Sequence, residues 1–440
     1  MLFNWLFAKK TGAELLLRIE DTDANRSDKA FEQPIYDSLA WTGLDYNEGP
    51  YRQSDRRDQY AQDVQYLLDN KRAYRCYCTE AMLEAERAAA AAQKRPYTYS
   101  RKCRHATTGD TTQPHTIRFA VPDAGQVVFQ DAVRGPITVD TAVLSDFILV
   151  KSSGDPSYHL AVVSDDIAMG ITHVLRGEDH ISNTPNHYLL FQALQAPVPV
   201  FGHFPIILGP DRSKLSKRHG AMSVLDYREA GYLPEALLNY VALLGWSPPD
   251  GSDCHSLESI TRSFDLGNLT KSGAIFDDKK LQWMNRQYIQ ALSGPDFIQR
   301  VTPFIRPEIQ VAFSEIIMPE KQADALLSLQ KKVTILSDIN TALQPYTDSD
   351  ETVLNHCSGF ASDQLTLLQA VATQLETNPR DIRDVLAYVK DTTGLSLGLV
   401  YKTMRYSITG THSGPDLITM LRVFSAETLA RRCRNAIRSI

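Results

Sequence analysis

The chain has 440 residues, of which 43% are hydrophobic and 22% charged, with a formal net charge of -6 and an isoelectric point near 6.0. That length exceeds a single hydrophobic core and predicts roughly two to four domains. The acidic balance requires nucleic-acid contacts to come from local basic patches, and no apolar run is long enough to span a bilayer. Six cysteines at 76, 78, 103, 254, 357 and 433 form no disulfide framework, so a reducing cytoplasm is the expected compartment. The apolar start has neither a preceding basic segment nor a small-residue cleavage site, which makes it a poor export signal.

In chain order, Leu2, Phe3, Leu6 and Phe7 recur at helical spacing and stop at Thr11-Gly12. Glu14 to Ile19 predicts a short buried strand. It delivers Glu20-Asp21-Thr22-Asp23 at its C-terminal end, where open α/β sheets place ligands. Three carboxylates this close repel one another unless a cation or ammonium group lies between them; an acidic helix cap is the competing account of Asp21 and Asp23. Helices are predicted over 30–39 and 55–70, with turns at Trp41–Asp45 and Asn47–Pro50 between them.

Cys76-Tyr77-Cys78 is followed after 24 residues by Cys103-Arg104-His105. Three thiolates and an imidazole suit tetrahedral zinc, and four protein ligands would make the site structural. The spacing within each pair is tighter than in ordinary zinc fingers, and unrelated free cysteines are the other reading. A helix over 80–93 could return the second pair to the first. Strands are predicted near 115–119, 127–131, 135–139 and 147–151, giving 70–157 a small α+β character, and again at 158–163 and 171–175.

The last of these strands ends in Arg176-Gly177-Glu178-Asp179-His180, a second charged cluster. Arg176 suits a ligand carboxylate through its planar fork. Tyr158 offers a phenolic hydroxyl, although a half-buried structural tyrosine accounts for it equally well. Farther on, Ser213-Lys214-Leu215-Ser216-Lys217-Arg218-His219-Gly220 places two ammonium groups three residues apart around a hydroxyl. Such a loop fits a polyphosphate, and it also fits a solvated surface turn. Two charged strand ends and one basic loop converge best in a doubly wound sheet interrupted by an insertion. From Pro234 the pattern is helical, with Leu281, Met284 and Tyr288 as one packing stripe. Lys402, Arg405, Arg422, Arg431, Arg432, Arg434 and Arg438 could meet RNA phosphate or simply face solvent.

Taken together, these stretches resemble the bacterial glutamyl-tRNA synthetases, a class I aminoacyl-tRNA synthetase family, from Leu2 nearly to Ile440. The resemblance rests on Leu17 to Asp23, on Glu48-Gly49-Pro50-Tyr51, and on Leu215-Ser216-Lys217-Arg218 as the family's form of the class I basic loop. Leu233 to Tyr240 resembles the start of the stem-contact region. It implies a Rossmann-like α/β catalytic domain over 1–62 and 158–228, with a zinc-bearing α+β module that binds the tRNA acceptor end inserted at 63–157. All-α stem-contact (229–300) and anticodon-binding (301–440) regions would follow.

The implied substrates are ATP, L-glutamate and tRNA(Glu). Glutamate is activated to glutamyl-adenylate and transferred to the 3' end of the tRNA. Lys217 is implied as the principal phosphate-binding lysine, with Lys214 and Ser216 as its catalytic neighbours and Leu215 and Arg218 at the ATP. Glu20 would meet the substrate amino group, with Tyr158 and Arg176 at the amino acid. Cys76, Cys78, Cys103 and His105 would bind one structural zinc ion, and Mg²⁺ would accompany ATP. A monomer is the family expectation. The family's opening strand and its His-x-Gly-Gly motif have no counterpart here, and with them goes a second carboxylate-binding arginine. The expectation is therefore either a start placed at an internal methionine or a truncated, non-catalytic tRNA-binding homologue, and no detectable charging by the chain as given. Charging of tRNA(Gln) in addition is a further alternative.

Overall fold

The computed structural model describes residues 1–22, 32–105, 113–216, 218, 222–356, 359–377 and 382–438. Two compact units divide the chain. One is Met1–Leu225 with Leu238–Asp277, and the other is Asp226–Leu237 with Asp278–Ile440. The region expected at 229–300 is thus shared between them.

In the first unit, helix α1 (Leu2–Thr11) ends at Gly12, whose φ of 73° supplies the left-handed stop, and Lys9 and Lys10 face the negative end of the helix dipole. Its Leu2 and Leu6 bury against Phe204, Leu238, Trp246 and Phe264. Strand β1 (Leu16–Ile19) follows, then α2 (Gln33–Thr42) and β2 (Glu48–Arg52). β2 runs parallel to β1, with Leu16 opposite Glu48 and Ile19 opposite Arg52. Gly-Pro had suggested a turn at 47–50. The strand forms because Gly49 permits close approach: a Cβ there would collide with the Leu17 carbonyl. Pro50 is tolerable on a strand whose other edge needs no donor.

After α3 (Arg57–Asp69) come β3 (Ala73–Cys76), α4 (Glu80–Ala92), β4 (Thr116–Phe119), β5 (Gln126–Asp131), β6 (Gly135–Asp140) and β7 (Ile148–Val150). Strands β3, β4 and β7 make an antiparallel sheet of their own. The β5–β6 hairpin instead joins β8 (His173–Gly177) and β9 (Val200–Phe204) in the order β6-β5-β9-β8. β8 and β9 are parallel, and Asp131 stands opposite Phe201. The stretch 63–157 therefore does not close on itself.

Tyr158–Val163, expected as a strand, is the start of helix α5 (Tyr158–Ala168), capped by the Ser157 hydroxyl, which accepts from the Leu160 amide. Leu160 through Asp166 are all buried. A short helix buried on every side has no amphipathic stripe, so its apolar run imitates a strand. Helix α6 (Thr184–Ala193) opens with Pro185 in its first turn.

The second unit is helical, and one continuous core runs through Ile289, Leu329, Leu367, Val385, Met404 and Cys433. Leu281 and Met284 are themselves fully buried, as their stripe predicts. Among the C-terminal basic residues, Arg432 differs from both sequence readings. It is 2% exposed, donating to the carbonyls of Ile408 and Asp348, each at 2.6 Å, and to Asp350 at 3.1 Å. Asp350 is only half-buried, but without it the buried Arg432 charge loses its carboxylate. Asp350→Ala should therefore destabilise the helical unit by about 3 kcal/mol, read as a lowered urea midpoint. A midpoint unchanged from wild type would show that the backbone carbonyls suffice for Arg432.

Candidate active site

A charged knot fixes α5 against β1. The fully buried Asp165 carboxylate accepts from Gln53 Nε2 at 2.9 Å, Arg56 Nε at 2.6 Å and the Tyr60 hydroxyl at 2.9 Å. Asp166 accepts from Arg18 Nη1 at 2.7 Å. Burial raises the Asp166 pKa against the opposing pull of Arg18. Arg18 lies two residues before Glu20, so the knot also sets the strand end that carries the acidic motif. Asp21 does cap-like work, accepting from the amide and hydroxyl of Ser54 at 2.8 and 2.6 Å. Glu20 is exposed, and Asp23 lies outside the described residues.

Above the knot lies a cavity of about 430 Å³, lined by Arg18, Glu20, Tyr158, Asp166, Arg176 and His180 among others. Three predicted residues, Glu20, Tyr158 and Arg176, thus meet at one hollow. A 580 Å³ hollow on the helical unit, by contrast, is lined by no charged side chain.

Arg176 is the centre of the cavity's electrostatics. Its Nε donates to His203 Nε2 at 3.3 Å. Nη1 faces the Tyr158 hydroxyl at 3.3 Å and His187 Nδ1 at 3.4 Å. Nη2 donates to Thr184 Oγ1 at 2.9 Å and to the His180 carbonyl at 3.3 Å. No carboxylate lies within ion-pair distance of this guanidinium among the described residues. Burial lowers its pKa, with Tyr158, Asp166 and Glu20 pulling the other way. His159 and His187 are held neutral. Burial, aided by Arg176, depresses His159 to about 4 and pushes His187 well below its usual value, and their ring nitrogens meet at 3.1 Å.

The basic loop leaves a tight hairpin in which Gly209 N donates to the Ser213 carbonyl at 2.8 Å and Leu215 N to the Ile207 carbonyl at 2.9 Å. Lys214 Nζ reaches Asp179 at 2.7 Å, joining the loop to the charged end of β8. Arg218 and Lys214 are exposed. Ser216 and Leu215 follow the hairpin, while Lys217, His219 and Gly220 lie outside the described residues.

At the cysteine cluster, the Sγ atoms of Cys76, Cys78 and Cys103 lie within 4.8 Å of one another, with Cys78 and Cys103 3.5 Å apart. Sulfurs around tetrahedral zinc are separated by roughly 3.8 Å, so the three thiols fit such an ion. His105, the expected fourth ligand, is exposed and is not in the group. The Tyr99 hydroxyl is there instead, 3.2 Å from Cys76 Sγ and 3.4 Å from Cys78 Sγ. Burial opposes thiolate formation at Cys76, yet hydrogen bonds from Tyr99, the Cys78 amide and Arg118 bring its pKa down to about 7. Burial pushes Cys78 up to about 12. Sequence reasoning passed over Tyr99, whose only signal was its place four residues before Cys103.

Strand-end charges on a partly parallel sheet, followed by a basic loop and an all-helical unit, define the architecture of a class I tRNA synthetase. Residues 1–283 match the model of the catalytic domain of class I tRNA synthetases (E and Q), and residues 296–437 match an anticodon-binding domain. The chain belongs to the glutamate branch of this family. It is 38% identical to the glutamate–tRNA ligase of Aquifex aeolicus over 98% of this chain and 93% of that one. It is 39% identical to that of Legionella pneumophila (Philadelphia 1) over 100% and 94%. The crystal structure of a glutamate tRNA ligase from Elizabethkingia meningosepticum in complex with its amino acid superposes with a TM-score of 0.87. That match has 30% identity and covers 99% of this chain and 95% of that one.

The histidine pKa values give a pH test. A His159 held near 4 in the fold and at 6.5 when free binds a proton only on unfolding between those values. Its stabilising contribution is complete above pH 6.5 and is lost as pH falls toward 4. The loss should approach about 3 kcal/mol, seen as a falling urea midpoint, and His159→Gln should flatten that slope. An identical slope in the variant would count against a neutral buried His159.

Proposed function

We propose that this chain is a glutamate–tRNA ligase, in which the cavity beside Arg176 binds L-glutamate. One observation carries this reading. A half-buried guanidinium bonded to uncharged oxygens and imidazole nitrogens, most of them at 3.3–3.4 Å, has no carboxylate within ion-pair distance among the described residues. A ligand carboxylate can replace those long bonds with shorter, charge-assisted ones. Glutamate supplies that carboxylate on its side chain. Glutamine would set an amide NH₂ group or a neutral carbonyl there, giving a donor clash or a weaker bond. Glu20, at the same cavity, is assigned to the ammonium group, and the Tyr158 hydroxyl to the side-chain carboxylate.

In the reaction, the α-carboxylate oxygen of glutamate attacks the α-phosphorus of ATP and the bond to the β-phosphoryl oxygen breaks. The products are glutamyl-adenylate and pyrophosphate. A terminal ribose hydroxyl of tRNA(Glu) then attacks the acyl carbon, releasing AMP. A carboxylate nucleophile carries no proton, so activation needs no protein base. The protein's part is alignment and charge neutralisation. Lys217, with Lys214, Ser216, Leu215 and Arg218 around it, is assigned to the phosphates on its motif. Lys214 is held ready by Asp179. Mg²⁺ bound with ATP would neutralise pyrophosphate oxygens. The helical unit is assigned to the anticodon arm. No helix among the described residues is long and apolar enough to cross a membrane.

Zinc is assigned to Cys76, Cys78 and Cys103 with the Tyr99 oxygen as fourth donor, a closed set that would brace the module rather than react. Purified protein should carry about one zinc per chain. Cys103→Ser should release it, Tyr99→Phe should weaken it about tenfold or more, and His105→Ala should leave it unchanged. Zinc lost from the His105→Ala protein would return the fourth position to the histidine.

The glutamate assignment is tested by Arg176→Ala, with glutamate and ATP binding measured by calorimetry. Glutamate affinity should fall at least about a hundredfold, since a charge-assisted bidentate pair is lost, while ATP affinity stays within a few-fold. Equal affinity of the wild-type protein for glutamine and glutamate would sink the reading.

A further inference from the structure

The substrate arginine is itself aimed by two residues outside the cavity. Asp131, at the end of β5, and His203, on β9, are both fully or almost fully buried. Asp131 Oδ2 lies 2.5 Å from His203 Nδ1. On the other side of the imidazole, Nε2 faces Arg176 Nε at 3.3 Å and Thr184 Oγ1 at 3.0 Å. A guanidinium can only donate, so His203 Nε2 must carry a lone pair and Nδ1 must carry the proton. Asp131 fixes that choice. Burial works against its charge, but His203 and the amides of Arg134 and Val133 outweigh burial and hold its carboxylate below the ordinary range.

We infer that Asp131 and His203 are positioning residues for glutamate binding: the carboxylate locks the imidazole tautomer, and the imidazole lone pair sets the plane of the Arg176 fork. Thr184 closes the arrangement, since its hydroxyl accepts from Arg176 Nη2 at 2.9 Å and donates to the same imidazole nitrogen. Two guanidinium nitrogens are thereby held from one side, so a ligand would displace only the longer contacts of Nη1 with Tyr158 and His187 and of Nη2 with the His180 carbonyl. This inference rests on the reading of Arg176 as the carboxylate receptor.

The second Asp131 oxygen makes the idea sharply testable. Oδ1 accepts from the amides of Val133 at 2.9 Å, Arg134 at 2.8 Å and His203 at 3.3 Å. In Asp131→Asn only the amide carbonyl can occupy that position, because an NH₂ group there would face three donors. The NH₂ must then point at His203 Nδ1, forcing that nitrogen to accept and moving the proton to Nε2. A donor would then face the Arg176 donor.

The experiment uses the full chain with ¹⁵N-histidine, assigning the His203 signals by their loss in His203→Gln. Wild type should have a protonated Nδ1 and a bare Nε2, and Asp131→Asn should show the reverse. The same variant should bind glutamate about tenfold or more weakly, the worth of one charge-assisted bond. ATP affinity should be unchanged, and where charging is measured the loss should fall on KM for glutamate rather than on kcat. His203→Gln, which keeps an acceptor near the Nε2 position, should stay within about threefold of wild type, while His203→Leu should match Asp131→Asn. The inference is overturned if Asp131→Asn leaves the tautomer and the glutamate affinity unaltered, or if the Gln and Leu variants are equally impaired. Should Asp131→Asn not fold, the Gln–Leu comparison decides. If even wild type fails to bind glutamate, the reading of the cavity has failed, and the tautomer measurement alone decides whether Asp131 locks His203.

Discussion

Everything at the cavity depends on two adjacent aspartates inside helix α5. Burying two carboxylates side by side would be prohibitive without compensation, and the fold answers with Arg18, Arg56, Tyr60 and Gln53 drawn from β1 and the 53–60 segment. Each of these donors is far from α5 in sequence. The ion pairs therefore work less as a source of net stability than as a register device: α5 can occupy only the position that satisfies both carboxylates. Tyr158 stands at the first turn of that helix and Glu20 just beyond the strand holding Arg18. The knot thus sets the distance between the two sides of the cavity.

For the proposed glutamate site, selectivity would have a second physical source, the neutrality of His159 and His187. Charged imidazoles beside Arg176 would repel it and attract anions without regard to shape. Desolvation keeps His159 and His187 uncharged, so Arg176 is the cation of the cavity that has no carboxylate within ion-pair distance among the described residues, Arg18 being paired with Asp166. In such surroundings a single ionic contact counts for more than it would in water. The same desolvation makes a neutral isostere a poor tenant, because it removes the guanidinium from water without offering a counter-charge.

Much of this was legible in the sequence where chemistry is local. Glu20 to Asp23, the cysteine pairs and the basic loop announced themselves by consecutive residues, and the helix stops at Gly12 and Gly43 follow from glycine's access to left-handed backbone. What resisted reading was nonlocal or aperiodic. Helix α5 is buried all round and carries no stripe. Strand β2 contains Gly-Pro, an ordinary turn signal, and exists only because Leu17 needs a neighbour without a Cβ. The cysteine spacing pointed to His105 because that residue sits in the same pattern as Cys103, while the backbone brings Tyr99 to the sulfurs. The contact between Asp131 and His203 spans 72 positions, and neither residue belongs to a recognisable motif.

The hairpin β5–β6 bears on how separable the inserted module is. A cassette held by two chain crossings could be lost or exchanged between homologues with little effect on its host. Here the module lends a strand to the sheet beside β9 and the Asp131 carboxylate to the interior beside His203, which touches Arg176. Excising it would open a sheet edge and leave a buried imidazole proton without an acceptor. The chain is modular in sequence order but not in its hydrogen bonding, so module and pocket must vary together.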